Sequence, residues 1–474
     1  MATAEGVKNK IQNLIDTANQ ATGATDTTLH EVVTRLLAGY GGGASAVNGV
    51  PRRYTVQSGS SVTTGDFVEF IQNWGCTRLG DTAAAVSAAA LSDTKVIIAY
   101  YNATSDNYAA LVIDVDGTTV KAGAPVEISG PTSGVISVAA LSENKAAVAY
   151  VDADNQGTAE VLSVTGTTLT RGTGSVFSTA TTYDTSVAVM SANKVLVTYR
   201  TSVSWGNYAQ VLTVDGTTIT NGTARSLATG VRWTRAVRLT ESKALAVYDM
   251  YDWNYSTPQS VMARVLTIGD DGVTISTGSS TTVNGTGVNQ FEITALTNDQ
   301  VLLFFSDLNN STRPTVALLN VTNTSVSKAT SVTLGNSTAS HLAIVALGAR
   351  RALAISTGYV NPKYTTEVYE LSVHAGTITT VQSVTLLEQT TAGLTCANLV
   401  KTSQSSALFV GNIADNTLKG LGYWGMDIGD AITVAATDAA GGTSVRPATS
   451  NKYNVGVAKT SGAAGATVDV YRVV

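Results

Sequence analysis

Charged residues make up only 13% of this 474-residue chain, and histidine, cysteine and proline are scarcer still, at three, two and seven. His30, His341 and His374 stand far apart in the sequence, so no nucleophile has a general base in an evident pairing. Cys76 and Cys396 match no CxxC or Cys/His ligand spacing, which leaves two buried free thiols, or one bond between them if the chain ends meet. The 29 Lys and Arg are scattered and the net charge is −5, so no basic stripe exists to neutralise a phosphate backbone. Nucleic acid is thereby excluded as a partner. No run of 18 apolar residues occurs, so no membrane-spanning helix is expected, and the opening MATAEGVKNKIQNLIDTANQ lacks the apolar stretch of a signal peptide. Boxes of the form S-x-D-x-G-x-T-W, WD dipeptides and glycine-rich phosphate loops are missing as well. These absences predict a protein that is not an enzyme, with no catalytic residue, no cofactor and no bound metal. The one candidate calcium loop, DADNQG with Asp152, Asp154 and Gly157, has Ser163 where the bidentate Glu belongs.

What the chain has in excess is Thr, Ser, Val, Ala and 43 Gly, a composition for strands and tight turns. Two short stretches differ. Val7, Ile11, Leu14, Ile15 and Ala18 recur at helical spacing, and so do Leu29, Val32, Val33, Leu36 and Leu37. Residues 1–40 therefore read as a helical hairpin for anchoring or oligomerisation, too small to bury both apolar stripes alone. Val7, Ile11, Leu14, Ile15, Leu29, Val32, Val33 and Leu36 are its expected contact residues. Residues 41–53, opening on Gly41, Gly42 and Gly43, read as a flexible linker.

From residue 54 the apolar period changes from 3.6 to 2, and a repeat appears. It opens on a small hydrophobe and two or three turn residues, then a Lys-like residue and an alternating strand that ends on an aromatic. LSDTKVIIAY begins at Leu91, LSENKAAVAY at Leu141, MSANKVLVTY at Met190, LTESKALAVY at Leu239, LTNDQVLLFF at Leu296 and LGARRALAIS at Leu347. Weaker copies begin at Val400 and Ala448. A second marker follows in each early unit, VDGTTV with Gly117, VTGTTL with Gly166 and VDGTTI with Gly216, and later DDGVTI with Gly272 and HAGTIT with Gly376. Glycine there supplies the positive φ of a tight hairpin.

Each unit reads as four antiparallel strands, the blade of an all-β propeller of seven to eight blades. The units start near residues 85, 134, 185, 234, 290, 341, 394 and 443. The eighth lacks a strand, and the β segment of residues 54–71 is expected to complete it, closing the ring by pairing the N- and C-terminal segments. The alternative is a seven-bladed ring whose ends form a small separate β module.

The opening KIQNLIDTANQATGATDTTLHEVVTRLLAGYG, the end segments YTVQSGSSVTTGDFVEF and GVAKTSGAAGATVDVY, and the ALS-x-x-K-V-x-V-x-Y repeats together resemble virion proteins of tailed bacteriophages, of the tail-fibre, baseplate or capsid-associated type. The resemblance implies a structural or adhesive virion component, made in the bacterial host cytoplasm. It implies attachment to other virion proteins through the N-terminal helices and a homo-oligomer, with a trimer favoured. A purely architectural or capsid-decorating protein without host ligand is the alternative, and a glycan-cleaving enzyme a third reading.

Long irregular loops between second and third strands, and between blades, share one propeller face, where binding is expected. The insertion MYDWNYSTPQS supplies Tyr251, Asp252, Trp253 and Tyr255, and neighbouring loops supply Tyr183, Trp205, Tyr208 and Trp233. Aromatic faces with nearby carboxylates suit a host surface glycan, whose C–H face stacks while its hydroxyls hydrogen-bond.

Overall fold

The computed structural model describes residues 77–102, 105–116, 119–128, 130, 135–251, 258–335, 338–360, 363–389, 396–403, 406–413 and 417–424, with end strands 52–56, 67–70, 444–447, 456–458 and 467–472. The expected helical hairpin, with Val7 to Leu36, and residues 41–51 of the expected linker lie outside the described residues, while Arg52 and Arg53, read as linker, belong to the strand Arg52–Val56.

The repeat folds into sheets as its period requires. In the third unit Thr182–Ser191, Lys194–Thr201, Asn207–Asp215 and Thr218–Asn221 pair antiparallel in chain order, and Arg225–Ala228 adds to the third strand. The first, second and fourth units follow the same plan, with a fourth strand broken into two pieces. The fifth and sixth have a single fourth strand, Val326–Thr333 and Thr377–Gln389, accommodated by bulges in the pairing. Turn chemistry explains the uniform hairpins: Gly166, Gly216, Gly272 and Gly376 have φ of 62°, 60°, 71° and 78°.

The opening hydrophobes Leu91, Leu141, Met190, Leu239, Leu296 and Leu347 are all buried, as are the strand-ending Tyr100, Tyr150, Tyr199, Tyr248 and Phe305. They pack between neighbouring sheets rather than into one common core. Val148 and Ile97 belong to the cluster between sheets one and two, Val197 and Ala149 to that between two and three, and Leu196 and Ala246 to that between three and four. Val247 and Leu303 join sheets four and five, Phe304 and Ala354 join five and six, and Val400 of the seventh sheet packs on Ile98 of the first. A sheet with both faces covered in this way tolerates nearly continuous apolar strands such as VIIAYY.

The first strands contact one another in cyclic order, Thr77–Ala90, Ile136–Ser142, Thr182–Ser191, Val231–Arg238, Val288–Ala295, His341–Gly348 and Cys396–Ser403, and the last returns to the first. Polar pins join them: the Val138, Val187 and Ala236 amides donate to Ser87, Ser137 and Ser186 Oγ of the preceding strand at 3.0, 3.1 and 3.2 Å. The result is a propeller-like β fold.

Closure differs from the expected eighth unit. The seventh sheet has three strands of its own, Cys396–Ser403, Ser406–Ile413 and Thr417–Trp424. Its fourth is the start of Thr77–Ala90, with Thr77 opposite Gly420, Arg78 opposite Lys419 and Thr82 opposite Thr417. The rest of that long strand belongs to the first sheet.

A second compact unit is formed from the two ends of the chain. Arg52–Val56, Phe67–Phe70, Ser444–Pro447, Gly456–Ala458 and Thr467–Arg472 close into a five-stranded barrel. Arg52 lies opposite Val470, Phe70 opposite Val445 and Phe67 opposite Val457. The end segments do pair with each other, but they satisfy their edges in this barrel, so residues 54–71 complete no blade.

Candidate functional site

The third and fourth units depart from their sisters at the ends of strands that meet on the irregular-loop face. The residue after the terminal aromatic is Tyr101, Val151 or Ser306 elsewhere, but Arg200 and Asp249 here. At the pin position, where three units carry Ser87, Ser137 and Ser186, the fourth and fifth carry Arg235 and Glu292. These substitutions place a charged cluster at the mouth between two sheets.

Arg235 is its hinge. Its Nε donates to Glu292 Oε1 at 3.0 Å and its Nη1 to Asp184 Oδ2 at 3.3 Å. Asp184, fully buried, also accepts from the Thr234 amide at 2.7 Å. Asp249 Oδ1 accepts the Arg232 and Trp233 amides at 3.2 and 2.5 Å, which fixes the start of the fourth inner strand. Around these charges stand two aromatic–arginine groups. Tyr183 and Trp205 stack at 5.6 Å and 16°, and the Arg200 guanidinium lies 4.4 Å from both ring centres. Arg232 lies 3.7 Å over the Trp233 ring and donates to the Tyr251 hydroxyl.

The cluster is short of partners. Arg200 Nε and Nη1, Asn207 Oδ1 and Nδ2, and the hydroxyls of Thr198, Thr201 and Thr234 are buried without a hydrogen bond, as is Asp249 Oδ2. Eight of the fourteen such atoms among the described residues thus lie near the loop ends of the third and fourth sheets. Each buried unsatisfied group costs about 1–3 kcal/mol, so the chain carries a local penalty that its packing alone does not explain. The loop above adds strain: Ser204 and Trp205 have φ of 51° and 49°, a left-handed pair without glycine.

Burial pushes the Asp249 carboxyl up from 3.8 to about 6, against the pull of the Trp233 amide and Arg232. Burial likewise lowers the pKa of Arg200, opposed by Asp184, Tyr183 and Asp249. The folded protein therefore holds the Asp249 proton more tightly than the unfolded chain, and this group's contribution falls as pH rises from about 3.8 to about 6. Asp249→Asn cannot titrate. Its unfolding free energy relative to the wild type should rise by about 3 kcal/mol between about pH 3 and about pH 7 in denaturant titrations. Parallel pH profiles would show that Asp249 ionises as readily folded as unfolded.

Of the aromatic residues expected to bind, Tyr183 and Trp205 stack at this junction and Tyr251 accepts from Arg232, whereas Trp233, beneath Arg232, packs against the core between sheets four and five. Tyr208 is placed elsewhere: it stacks on Tyr199 at 5.6 Å and 22° within the core between sheets two and three. Asp252, Trp253 and Tyr255 lie outside the described residues. Arg200, Asp184, Arg232, Arg235, Asp249 and Glu292 were missed by sequence reasoning. Their signal is present, as charge at positions where sister units carry small, apolar or hydroxyl residues. Asp152, the candidate calcium ligand, spends its carboxylate on its own loop, accepting from the Asp154 and Gln156 amides and the Thr158 hydroxyl at 3.0, 2.8 and 2.7 Å.

Below the mouth, a cavity of about 420 Å³ runs between the first strands of all seven sheets, with Ser137, Arg235, Gln290, Glu292, His341 and Asn398 among its lining. Burial lowers the pKa of His341 there. Chemically, the mouth offers flat aromatic faces, guanidinium donors and buried hydroxyl and amide groups.

No family model and no curated protein sequence matches the chain. Solved structures similar to it include a protein from Lactobacillus plantarum, 12% identical over 67% of this chain and 88% of that one, at a TM-score of 0.45. A polysaccharide lyase of family PL25, an ulvan lyase, is 7% identical over 74% of this chain and 95% of its own, at 0.46. A prolyl endopeptidase is 10% identical over 74% of this chain and 47% of its own, at 0.43. The expectation that the chain is not an enzyme is corrected here, since two of these three similar structures are a lyase and an endopeptidase. At such identities and scores the likeness assigns this chain no activity.

Proposed function

We propose that this protein is a structural and adhesive component of a tailed-phage virion, and that its irregular propeller face binds a host surface glycan. In this reading the seven sheets are the blades of a seven-bladed propeller, residues 77–82 are its closing strand, and the N-terminal segment attaches it to other virion proteins as a homo-oligomer. The observation that supports glycan binding is the pair of aromatic–arginine groups at the loop ends of the third and fourth sheets, Tyr183–Trp205 with Arg200 and Trp233–Tyr251 with Arg232. Flat rings beside charge-bearing donors match a sugar's apolar face and its hydroxyls.

The test is binding of the full chain to host cells and to a glycan array, with Trp233→Ala alongside. Saturable binding weakened by about tenfold or more in the variant is the expected result, since hot-spot aromatics contribute on that scale. A folded protein that binds neither cells nor array would favour the architectural role. Newly formed reducing ends in the same mixture would separate cutting a glycan from holding one.

A further inference from the structure

The side of the third sheet that faces the fourth changes character along its length. Leu196, Ala209 and Val211 pack against Ala244, Ala246 and Leu266 in the cluster between the two sheets. One step nearer the loops the same side carries Thr198, Arg200 and Asn207, with Arg200 directly opposite Asn207 in the strand pairing. All three are nine-tenths or more buried, at 0%, 8% and 0% exposure, and each has side-chain atoms without a partner. Arg200 presents two unpartnered nitrogens, Asn207 one donor and one acceptor, and Thr198 and the adjoining Thr201 a hydroxyl each.

A guanidinium whose neighbouring carboxylates are engaged elsewhere is the distinctive element. Asp184 is held by Arg235 and the Thr234 amide, and Asp249 Oδ1 by the Arg232 and Trp233 amides. Neither accepts a hydrogen bond from Arg200, whose guanidinium lies against the faces of Tyr183 and Trp205. Trp205 is held over it in a left-handed conformation that a tryptophan adopts only under constraint.

We propose that Arg200, with Asn207, receives the carboxylate of an acidic sugar, and that the Trp205 loop moves aside to admit it. This inference rests on the glycan-binding reading and names the ligand class of that site. A carboxylate supplies acceptors for the Arg200 nitrogens, and the adjoining ring hydroxyls meet Asn207, whose amide gives and accepts. Arg200 then gains a charged partner in place of an aromatic cover. The left-handed Ser204–Trp205 pair is free to relax as the loop opens.

The experiment is calorimetric titration of the full chain with a glucuronate-containing oligosaccharide and with its neutral glucose counterpart. The wild type should prefer the acidic sugar by about tenfold or more, as expected for a desolvated charge pair. Arg200→Gln should erase that preference, while Arg232→Gln, a change at a more exposed arginine, should keep it. Equal affinity for the two sugars would overturn the inference and leave the glycan-binding reading standing. Absence of binding to either would count against both. If Arg200→Gln fails to fold, Asn207→Ser and Arg232→Gln decide: loss of the acidic preference in Arg232→Gln alone places the charge reading at Arg232 and overturns the inference.

Discussion

Arg351→Ala should lower the unfolding free energy by about 3–5 kcal/mol, the scale on which a buried ion pair broken from one side destabilises a protein. Arg351 occupies the Lys-like position of the sixth repeat, yet it is 8% exposed and its Nε donates to Glu370 Oε1 at 3.1 Å. Glu370, on the next strand, is 5% exposed. Removing the guanidinium takes away the charge-assisted hydrogen bonds that the buried Glu370 carboxylate accepts from it. The double change Arg351→Met with Glu370→Met should recover most of the loss, because apolar side chains of similar volume replace a buried ion pair at little cost. Chemical denaturation of the two variants beside the wild type measures both, and an additive double variant would show that the two residues act separately.

Gly278→Ala should destabilise by about 2–3 kcal/mol, the range of an inserted methyl that the backbone must yield to. Gly278 sits where the fourth strand of the fourth sheet breaks, and its amide donates to the Val265 carbonyl at 2.9 Å. A Cβ there would stand 2.0 Å from the Thr324 carbonyl oxygen and 2.8 Å from its carbon, in a turn of the fifth sheet. Backbone rather than a flexible side chain is in the way. Gly285→Ala is the matched control, since nothing lies within 4 Å of its Cβ position, and a shift within about 0.5 kcal/mol is expected. Equal midpoints for the two variants would show that the turn at Thr324 gives way freely.

The propeller-like repeat was legible because its markers are each local and each buried for the same reason in every copy. Leu91, Leu141 and Met190 end their first strands against a neighbouring sheet, and Gly166 and Gly216 turn hairpins of only two residues. Such features need no knowledge of distant partners. Closure was not legible on those terms. Residues 54–71 and Thr77–Ala90 both offer β pattern near the first unit, and only the pairing of Thr77 with Gly420 and of Phe67 with Val457 distinguishes a closing strand from a barrel strand. The aromatic and charged cluster was half legible. Tyr183, Trp205, Trp233 and Tyr251 stood out as aromatics in loops, whereas Arg200 and Asp249 sit inside repeats that otherwise obey the rule. Their meaning comes from meeting across two sheets, which spacing along one strand does not encode.

The strand Thr77–Ala90, shared between the first and seventh sheets, has a consequence for the order of assembly. Its later part can zip to Lys95–Asn102 as soon as both have formed, a contact between near neighbours in sequence. Its earlier part must wait for Thr417–Trp424, at the far end of the repeat array, and loop closure over such a span is slow and entropically costly. The seam it makes is also irregular, with a register shift between Arg78 and Thr82. The circle of sheets therefore closes last at this seam. Under heat or mechanical load it should also open there first, as a hoop does at its buckle.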